Sequence, residues 1–223
     1  MTVHALLLGV EQPDALANQS PPAKIGEARL AAAALYNYLT LTSTADPKTI
    51  TQPTRGTAQS IDAWFDPRVI RAQDTAIVLY CGHGWHGAID DDNGWWLQDG
   101  PLPFRTVEAH ISRLDPATRV IVIAACCFAA PDPNVMQLLR AANAPPPSLH
   151  DRVVVLSSSE TDGATTGSRA RLFVHVTIAN ALAGRNYETL QSDYNIVATT
   201  DGRREWSVYT PPALATSAVL APK

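Results

Sequence analysis

Residues 75–84, TAIVLYCGHG, and residues 119–127, RVIVIAACC, decide the fold of this chain. Each stretch opens with a nearly continuous apolar run rich in β-branched residues, which is typical of a strand covered on both faces. Two more runs of this kind are VHALLLGV at residues 3–10 and RVVVLS at residues 152–157. We therefore predict that residues 3–10, 75–81, 119–125 and 152–157 are strands of one buried sheet.

Segments in which apolar residues recur at helical spacing separate the strands. Helices are predicted at residues 25–41, 54–70, 106–114, 134–142 and 171–183, with Gly184 as the stop of the last one. Strands that alternate with helices favour an α/β fold, in which a mostly parallel central sheet carries helices on both faces.

Weaker patterns complete the domain. Residues 48–51 and 206–209 are expected to add short strands, and residues 1–210 are expected to form a single domain. The Pro/Ala/Thr-rich sequence from Pro211 onward predicts a poorly ordered tail at residues 211–223.

Composition excludes several classes of function. The 223 residues are 46% hydrophobic and 17% charged, with a formal net charge of −4, so neither nucleic acid nor an anionic membrane is an expected partner. No apolar run approaches the roughly 18 residues needed to span a bilayer. The N-terminus lacks a basic segment before its apolar stretch and a small-residue cleavage site, so we expect a cytoplasmic protein.

His83 is the first candidate for chemistry. It follows a predicted buried strand and lies between Gly82 and Gly84. Glycine on both sides lets the backbone turn sharply and lets a substrate approach closely, which suits a general acid or base. The GHG sequence is short, however, and it is also compatible with a loop histidine whose glycines serve only the turn.

Cys126 is the second candidate. Since strand residues alternate between faces, Cys126 would continue the face of Val122 and Ala124 at the strand end, and Cys127 would point toward packing. A cysteine at such a position is often only a small buried hydrophobe. The three cysteines, Cys81, Cys126 and Cys127, form no CxxC pair, and an odd count argues against a disulfide framework.

Residues 88–98, AIDDDNGWWLQ, predict a hairpin that turns at Asn93-Gly94. Of the two tryptophans that follow, Trp95 and Trp96, one should pack inside and the other should face a cleft. A metal site from His83, His86 and an aspartate of this hairpin is an open alternative, as is calcium at its acidic residues. Neither has a defined ligand set, and we predict no metal and no cofactor.

Taken together, these segments resemble the caspases and metacaspases. Residues 80–84, YCGHG, are similar to the metacaspase motif YSGHG, and residues 121–129, IVIAACCFA, are similar to the strand that ends in DSCHSG or, in caspases, QACRG. His83 precedes Cys126 by 43 residues (126 − 83), close to the roughly 50 of caspases. Further similar segments follow in the family's order: residues 5–10, 53–65, 151–166 and 171–184.

The resemblance implies a caspase-like three-layer α/β sandwich and a cysteine endopeptidase. Cys126 would attack the scissile carbonyl, His83 would protonate the leaving amine, and the N–H groups of Gly84 and Cys126 would form the oxyanion hole. Its partners would be a protein or peptide substrate and, as an option, a regulatory protein. The alternative is a catalytically inactive caspase-like module that only binds partners, and the Ala- and Pro-rich composition hints at a bacterial source.

The resemblance also implies a substrate pocket lined by the residue two before the nucleophile and by the loop after the fourth strand. The pocket residues are then Ala124, Ser158, Glu160 and Asp162. Metacaspases have an aspartate where this chain has Ala124. Because a buried cation without a partner is costly, we expect an apolar or small residue before the cut, unless Glu160 or Asp162 supplies the missing charge.

Overall fold

The computed structural model describes residues 1–14, 24–86, 93–127, 152–158, 167–200 and 206–220. Its strands are β1 (Val3–Gly9), β2 (Ile50–Thr51), β3 (Thr75–Cys81), β4 (Gly84–His86), β5 (Asn93–Leu97), β6 (Gly100–Pro103), β7 (Arg119–Ala125), β8 (Val153–Ser157) and β9 (Ser207–Tyr209). Its helices are α1 (Ala28–Leu41), α2 (Ala58–Trp64), α3 (Phe104–Ser112), α4 (Gly167–Leu182), α5 (Tyr187–Thr200) and α6 (Pro212–Ala215).

The main sheet has six strands in the order β2-β1-β3-β7-β8-β9. All neighbours are parallel except β8 and β9, which are antiparallel. A second, antiparallel sheet of β4, β5 and β6 follows β3. The α/β prediction is therefore confirmed, and the four central strands lie within one residue of their predicted bounds.

Two apolar clusters cover the two faces of the main sheet. On one face, Leu79 and Ile123 pack with residues of α1, α4 and α5, among them Leu35 and Phe173. On the other face, Val78 and Val122 pack with residues of α2 and α3, such as Ile61 and Ile111. The sheet is buried on both faces because its strands are apolar at consecutive positions, as the sequence predicted.

Helix α1 lies close to the sheet because its buried stripe is made largely of alanine. Ala28, Ala31, Ala32 and Leu35 are all fully buried and recur at helical spacing. A Cβ atom at Gly9, the last residue of β1, would lie only 2.8 Å from the backbone of α1. The backbones of α1 and β1 can approach so closely only because Gly9 has no side chain.

Helix α2 is much shorter than the predicted 54–70. Thr57 and Ser60 form a reciprocal capping box, so the helix begins at Ala58. It ends two residues before Asp66, whose α conformation is disfavoured by Pro67. The predicted helix at 134–142 lies outside the described residues.

The C-terminal part contains helix α5, which was not predicted. Among its residues 187–197, whose burial is described, Tyr187, Leu190 and Tyr194 are the buried ones. Within residues 211–220, part of the segment predicted to be a poorly ordered tail, Leu214, Val219 and Leu220 are buried. Pro, Ala and Thr outnumber the larger apolar residues of this segment, so its composition did not indicate their burial.

Of the hairpin predicted at residues 88–98, residues 88–92 lie outside the described residues, and the predicted turn at Asn93-Gly94 is wrong. Asn93 and Gly94 are paired strand residues of β5, opposite His86 and Trp85. A Cβ atom at Gly94 would lie 2.2 Å from the Leu102 carbonyl oxygen of β6. This glycine therefore permits a close strand contact, not a turn.

Among the helices of the described ranges, none is long and apolar enough to cross a membrane.

Arg152 ties the N-terminal end of β8 to helix α3. It is 6% exposed, and its guanidinium donates hydrogen bonds of 2.7–3.3 Å to the carbonyl oxygens of Ile111, Leu114, Asp115 and Thr118. Ile111 lies in the last turn of α3, and Leu114 lies two residues beyond the end of the helix. One side chain thus satisfies the end of a helix and the loop that leads into β7.

We predict that Arg152→Met lowers the free energy of unfolding by about 2–4 kcal/mol, because each buried acceptor left unsatisfied costs about 1–3 kcal/mol. Urea denaturation measures this change. The control is Arg68→Met, since Arg68 is exposed and pairs only with its neighbour Asp66, so the substitution should change stability little. Equal losses in the two variants would contradict the assigned role of Arg152.

Candidate active site

Strands β3 and β7 pair in parallel along their whole length, from Thr75 opposite Arg119 to Cys81 opposite Ala125. Just beyond this pairing, the Gly82 N–H still donates to the Ala125 carbonyl at 3.4 Å. Both strands end there, so His83 follows β3 and the two cysteines follow β7 at the same edge of the sheet. The sequence prediction that His83 and the cysteines meet at one sheet edge therefore agrees with the topology.

Gly84 lies directly against the backbone of Cys127. A Cβ atom at Gly84 would lie 1.6 Å from the Cys127 carbonyl oxygen and 3.1 Å from its Cα atom. Neither Gly82 nor Gly84 has a positive φ; among the described glycines, only Gly100 and Gly184 do. The glycines around His83 are thus required for close approach to the neighbouring strand and not for a sharp turn.

The two adjacent cysteines lie in different surroundings. Cys126 is fully buried in the apolar cluster that contains Tyr80 and Ala124, whereas Cys127 is half-buried. Burial raises the pKa of the Cys126 thiol well above its usual value. At neutral pH Cys126 is therefore protonated and shielded from solvent, which are both unfavourable properties for a nucleophile.

The predicted strand parity is confirmed, because Cys126 does continue the face of Val122 and Ala124. That face is still covered by the apolar cluster at the end of β7, so Cys126 is buried, whereas Cys127, which was expected to point toward packing, is half-buried. The sequence pattern indicated which residues of β7 share a face. It did not indicate at which residue the neighbouring segments stop covering that face.

The predicted pocket residues are only partly within the described ranges. Ala124 is fully buried and Ser158 is 2% exposed. The Ser158 N–H donates to the Ala124 carbonyl at 3.0 Å, and its hydroxyl donates to the Cys126 carbonyl at 3.2 Å. Both residues join the ends of β7 and β8 and offer no open surface, while Glu160 and Asp162 lie outside the described residues.

His83 and Gly84 are half-buried, and His86 is exposed at the end of β4. The Nδ1 atom of His86 lies 2.7 Å from Oδ1 of Asn93, across the antiparallel pair. In the described ranges, no three His, Cys, Asp or Glu side chains are grouped as metal ligands, and the acidic residues 90–92 lie outside those ranges.

Solved structures with the same arrangement of strands and helices include two caspases. The Drosophila initiator caspase Dronc matches with a TM-score of 0.64 at 10% identity, over 99% of this chain and 83% of Dronc. Caspase-1 from Spodoptera frugiperda matches with a TM-score of 0.61 at 11% identity, over 99% of this chain and 92% of that chain. The chain has a caspase-like fold.

The caspase-like fold is also similar to protein GSU0716 from Geobacter sulfurreducens, with a TM-score of 0.68 at 15% identity over the full length of both chains. No protein-family model matches the sequence, and no curated protein is significantly similar to it. At identities this low the likeness establishes the caspase-like fold and leaves the chemistry to this chain's own residues.

We predict that iodoacetamide at pH 8 modifies Cys127 of the native protein well before Cys126 or Cys81. Cys126 is buried with a raised pKa, and burial also raises the pKa of Cys81 to about 12, so neither presents an accessible thiolate. Mass spectrometry of the single variants Cys126→Ser and Cys127→Ser distinguishes the neighbours. Labelling of all three at equal rates is expected only in denaturant, and native labelling of Cys126 first would reverse the assignment.

Proposed function

We propose that this protein is a cysteine endopeptidase that cleaves a protein or peptide substrate through a Cys–His dyad. The observation that carries the proposal is the parallel register of β3 and β7, which brings His83 and the Cys126–Cys127 pair to one edge of the sheet. In open α/β sheets, binding and catalytic groups collect at the carboxyl ends of the strands. The caspase-like fold and the YCGHG sequence are consistent with this reaction.

Cys127 is the better candidate for the nucleophile, in place of the Cys126 suggested by the motif. It is half-buried, and its backbone lies directly against Gly84, the residue that follows His83. Cys126 would have to leave the core and lose a proton against a raised pKa before it could attack. Both arguments favour the same residue, and they are independent of the motif alignment.

In the proposed reaction, the thiolate attacks the scissile carbonyl and the C–N bond breaks after the tetrahedral intermediate forms. His83 gives its proton to the leaving amine, which leaves an acyl-enzyme. Water, deprotonated by the same imidazole, then hydrolyses the thioester and restores the thiol. The N–H groups of Gly84 and of the nucleophile are the proposed donors to the oxyanion.

The alternative is an inactive module with the same fold that binds partners only. The complete burial of Cys126 would favour it if Cys126 were the sole cysteine at this edge. The half-buried Cys127 removes that argument. A peptide carrying a thiol-reactive group distinguishes the two functions, since only a peptidase should be labelled faster by the peptide than by the reactive group alone.

We predict that Cys127→Ala abolishes peptide cleavage while Cys126→Ala retains substantial activity, and that both variants stay folded. His83→Ala should lose about 10²–10⁴-fold in kcat/KM, the usual contribution of a general acid or base. His86→Ala is the matched control, because His86 is an exposed histidine at the end of β4, only three residues after His83.

Three outcomes separate the possibilities. An inactive Cys126→Ala beside an active Cys127→Ala would return the nucleophile to the position that the motif suggests. A loss at His86 with a chelator-sensitive parent protein would point to a metal site. Absence of cleavage in the parent protein, with no selective peptide labelling, would favour the inactive module.

We also predict that the residue before the cut is apolar or small. The residue two before the nucleophile is alanine in either assignment, Ala125 or Ala124, so that position offers no charge for an arginine or lysine. A peptide-library cleavage profile measures the preference. A profile dominated by arginine would contradict the prediction and would make Asp162→Ala and Glu160→Ala the variants to test.

A further inference from the structure

Tyr80 is a buried tyrosine whose hydroxyl lies beneath the His83 loop. It is the penultimate residue of β3 and is fully buried, and its ring stacks on Trp95 with 4.9 Å between the centroids. A buried phenol needs a partner for its polar end. Its proton is shared between two acceptors, the carbonyl oxygens of His83 at 2.6 Å and Trp96 at 2.8 Å.

The His83 carbonyl is held from a second side as well. It accepts the Trp96 backbone N–H at 2.9 Å, so the peptide of His83 is bound to both β3 and β5. Tyr80 and Trp96 together therefore fix the main chain of the proposed acid–base residue. The imidazole starts from this backbone, and a shift in it moves the imidazole by a comparable distance.

Gly82 shows how tightly the loop closes over the hydroxyl. A Cβ atom at Gly82 would lie 2.6 Å from the Tyr80 hydroxyl oxygen and 2.9 Å from the Val10 carbonyl oxygen. The backbone between Tyr80 and His83 thus lies directly over the Tyr80 side chain. Any residue larger than glycine would separate the hydroxyl from the loop that it supports.

We propose that Tyr80 is a positioning residue for His83, whose hydroxyl holds the His83 backbone where the imidazole can reach the cysteine at the end of β7. Its catalytic consequence rests on the peptidase function proposed above. Tyr80 does not act as an acid or base itself, because burial, reinforced by the neighbouring cysteines, raises its pKa well above the usual value and keeps it a donor at all working pH values.

The test is Tyr80→Phe, which keeps the stacking ring and removes only the donor. Tyr194→Phe is the matched control: Tyr194 is equally buried, its hydroxyl pairs with Thr177, and it lies in the cluster on the opposite face of the sheet. Both variants should lose similar stability. Only Tyr80→Phe should lower kcat, by about 10–100-fold with KM nearly unchanged, since misplacement of a catalytic group by about 1 Å costs about 10²-fold.

A second measurement does not depend on peptidase activity. Amide hydrogen exchange of Trp96, whose N–H binds the His83 carbonyl, should become at least tenfold faster in Tyr80→Phe and stay unchanged in Tyr194→Phe. Unchanged exchange, or an unchanged kcat in an active enzyme, would overturn the proposal. If the parent protein cleaves nothing, the peptidase function fails, and the exchange result alone decides whether Tyr80 holds His83.

Discussion

The pairing of β3 with β7 is the constraint on which the rest of the site depends. Seven residues of each strand are in register, and the ladder ends where the two chemical segments begin. A slip of one residue would turn every side chain of β7 to the opposite face and would exchange the surroundings of the two cysteines. The apolar clusters on both faces resist such a slip, because each requires its own alternate residues of the strand. The core therefore determines which of the two cysteines is buried.

The central strands were predictable because their residues are apolar at consecutive positions, a pattern that few other structures share. Faces were predictable too, since Ile121, Ile123 and Ala125 do lie in one cluster and Val122, Ala124 and Cys126 in the other. Solvent exposure at the end of β7 was not predictable, because it depends on which other segments pack over the strand. The burial of Cys126 depends on residues such as Tyr80, which lies in the same apolar cluster but 46 positions earlier in the sequence (126 − 80).

The glycines of the sequence marked structurally important positions, but not always for the predicted reason. Gly184 ends α4 with a φ of 65°, as its position after a helical segment predicted. Gly94, read as half of a turn, instead allows β6 to approach β5, and Gly82 and Gly84 allow the close contacts of the His83 loop. Asn186 was a missed start signal: its side chain accepts the Thr189 N–H at 2.8 Å, as an N-cap residue does, and helix α5 follows.

The N-terminal ends of the central strands are stabilised by buried polar side chains that form hydrogen bonds. At their N-terminal ends, Arg152 satisfies four carbonyls, and the Asp74 carboxylate accepts the backbone N–H groups of Thr2 and Arg71 at 2.7 and 3.0 Å. These buried polar groups have their partners within the fold and are a strand's length, roughly 20 Å, away from His83. The hydrogen bonds that stabilise the sheet at this end are thus separated from the edge that carries His83 and the cysteines, so a stabilised variant for crystallisation or long storage can be sought among the residues at the Arg152 end while the cysteine edge is left untouched.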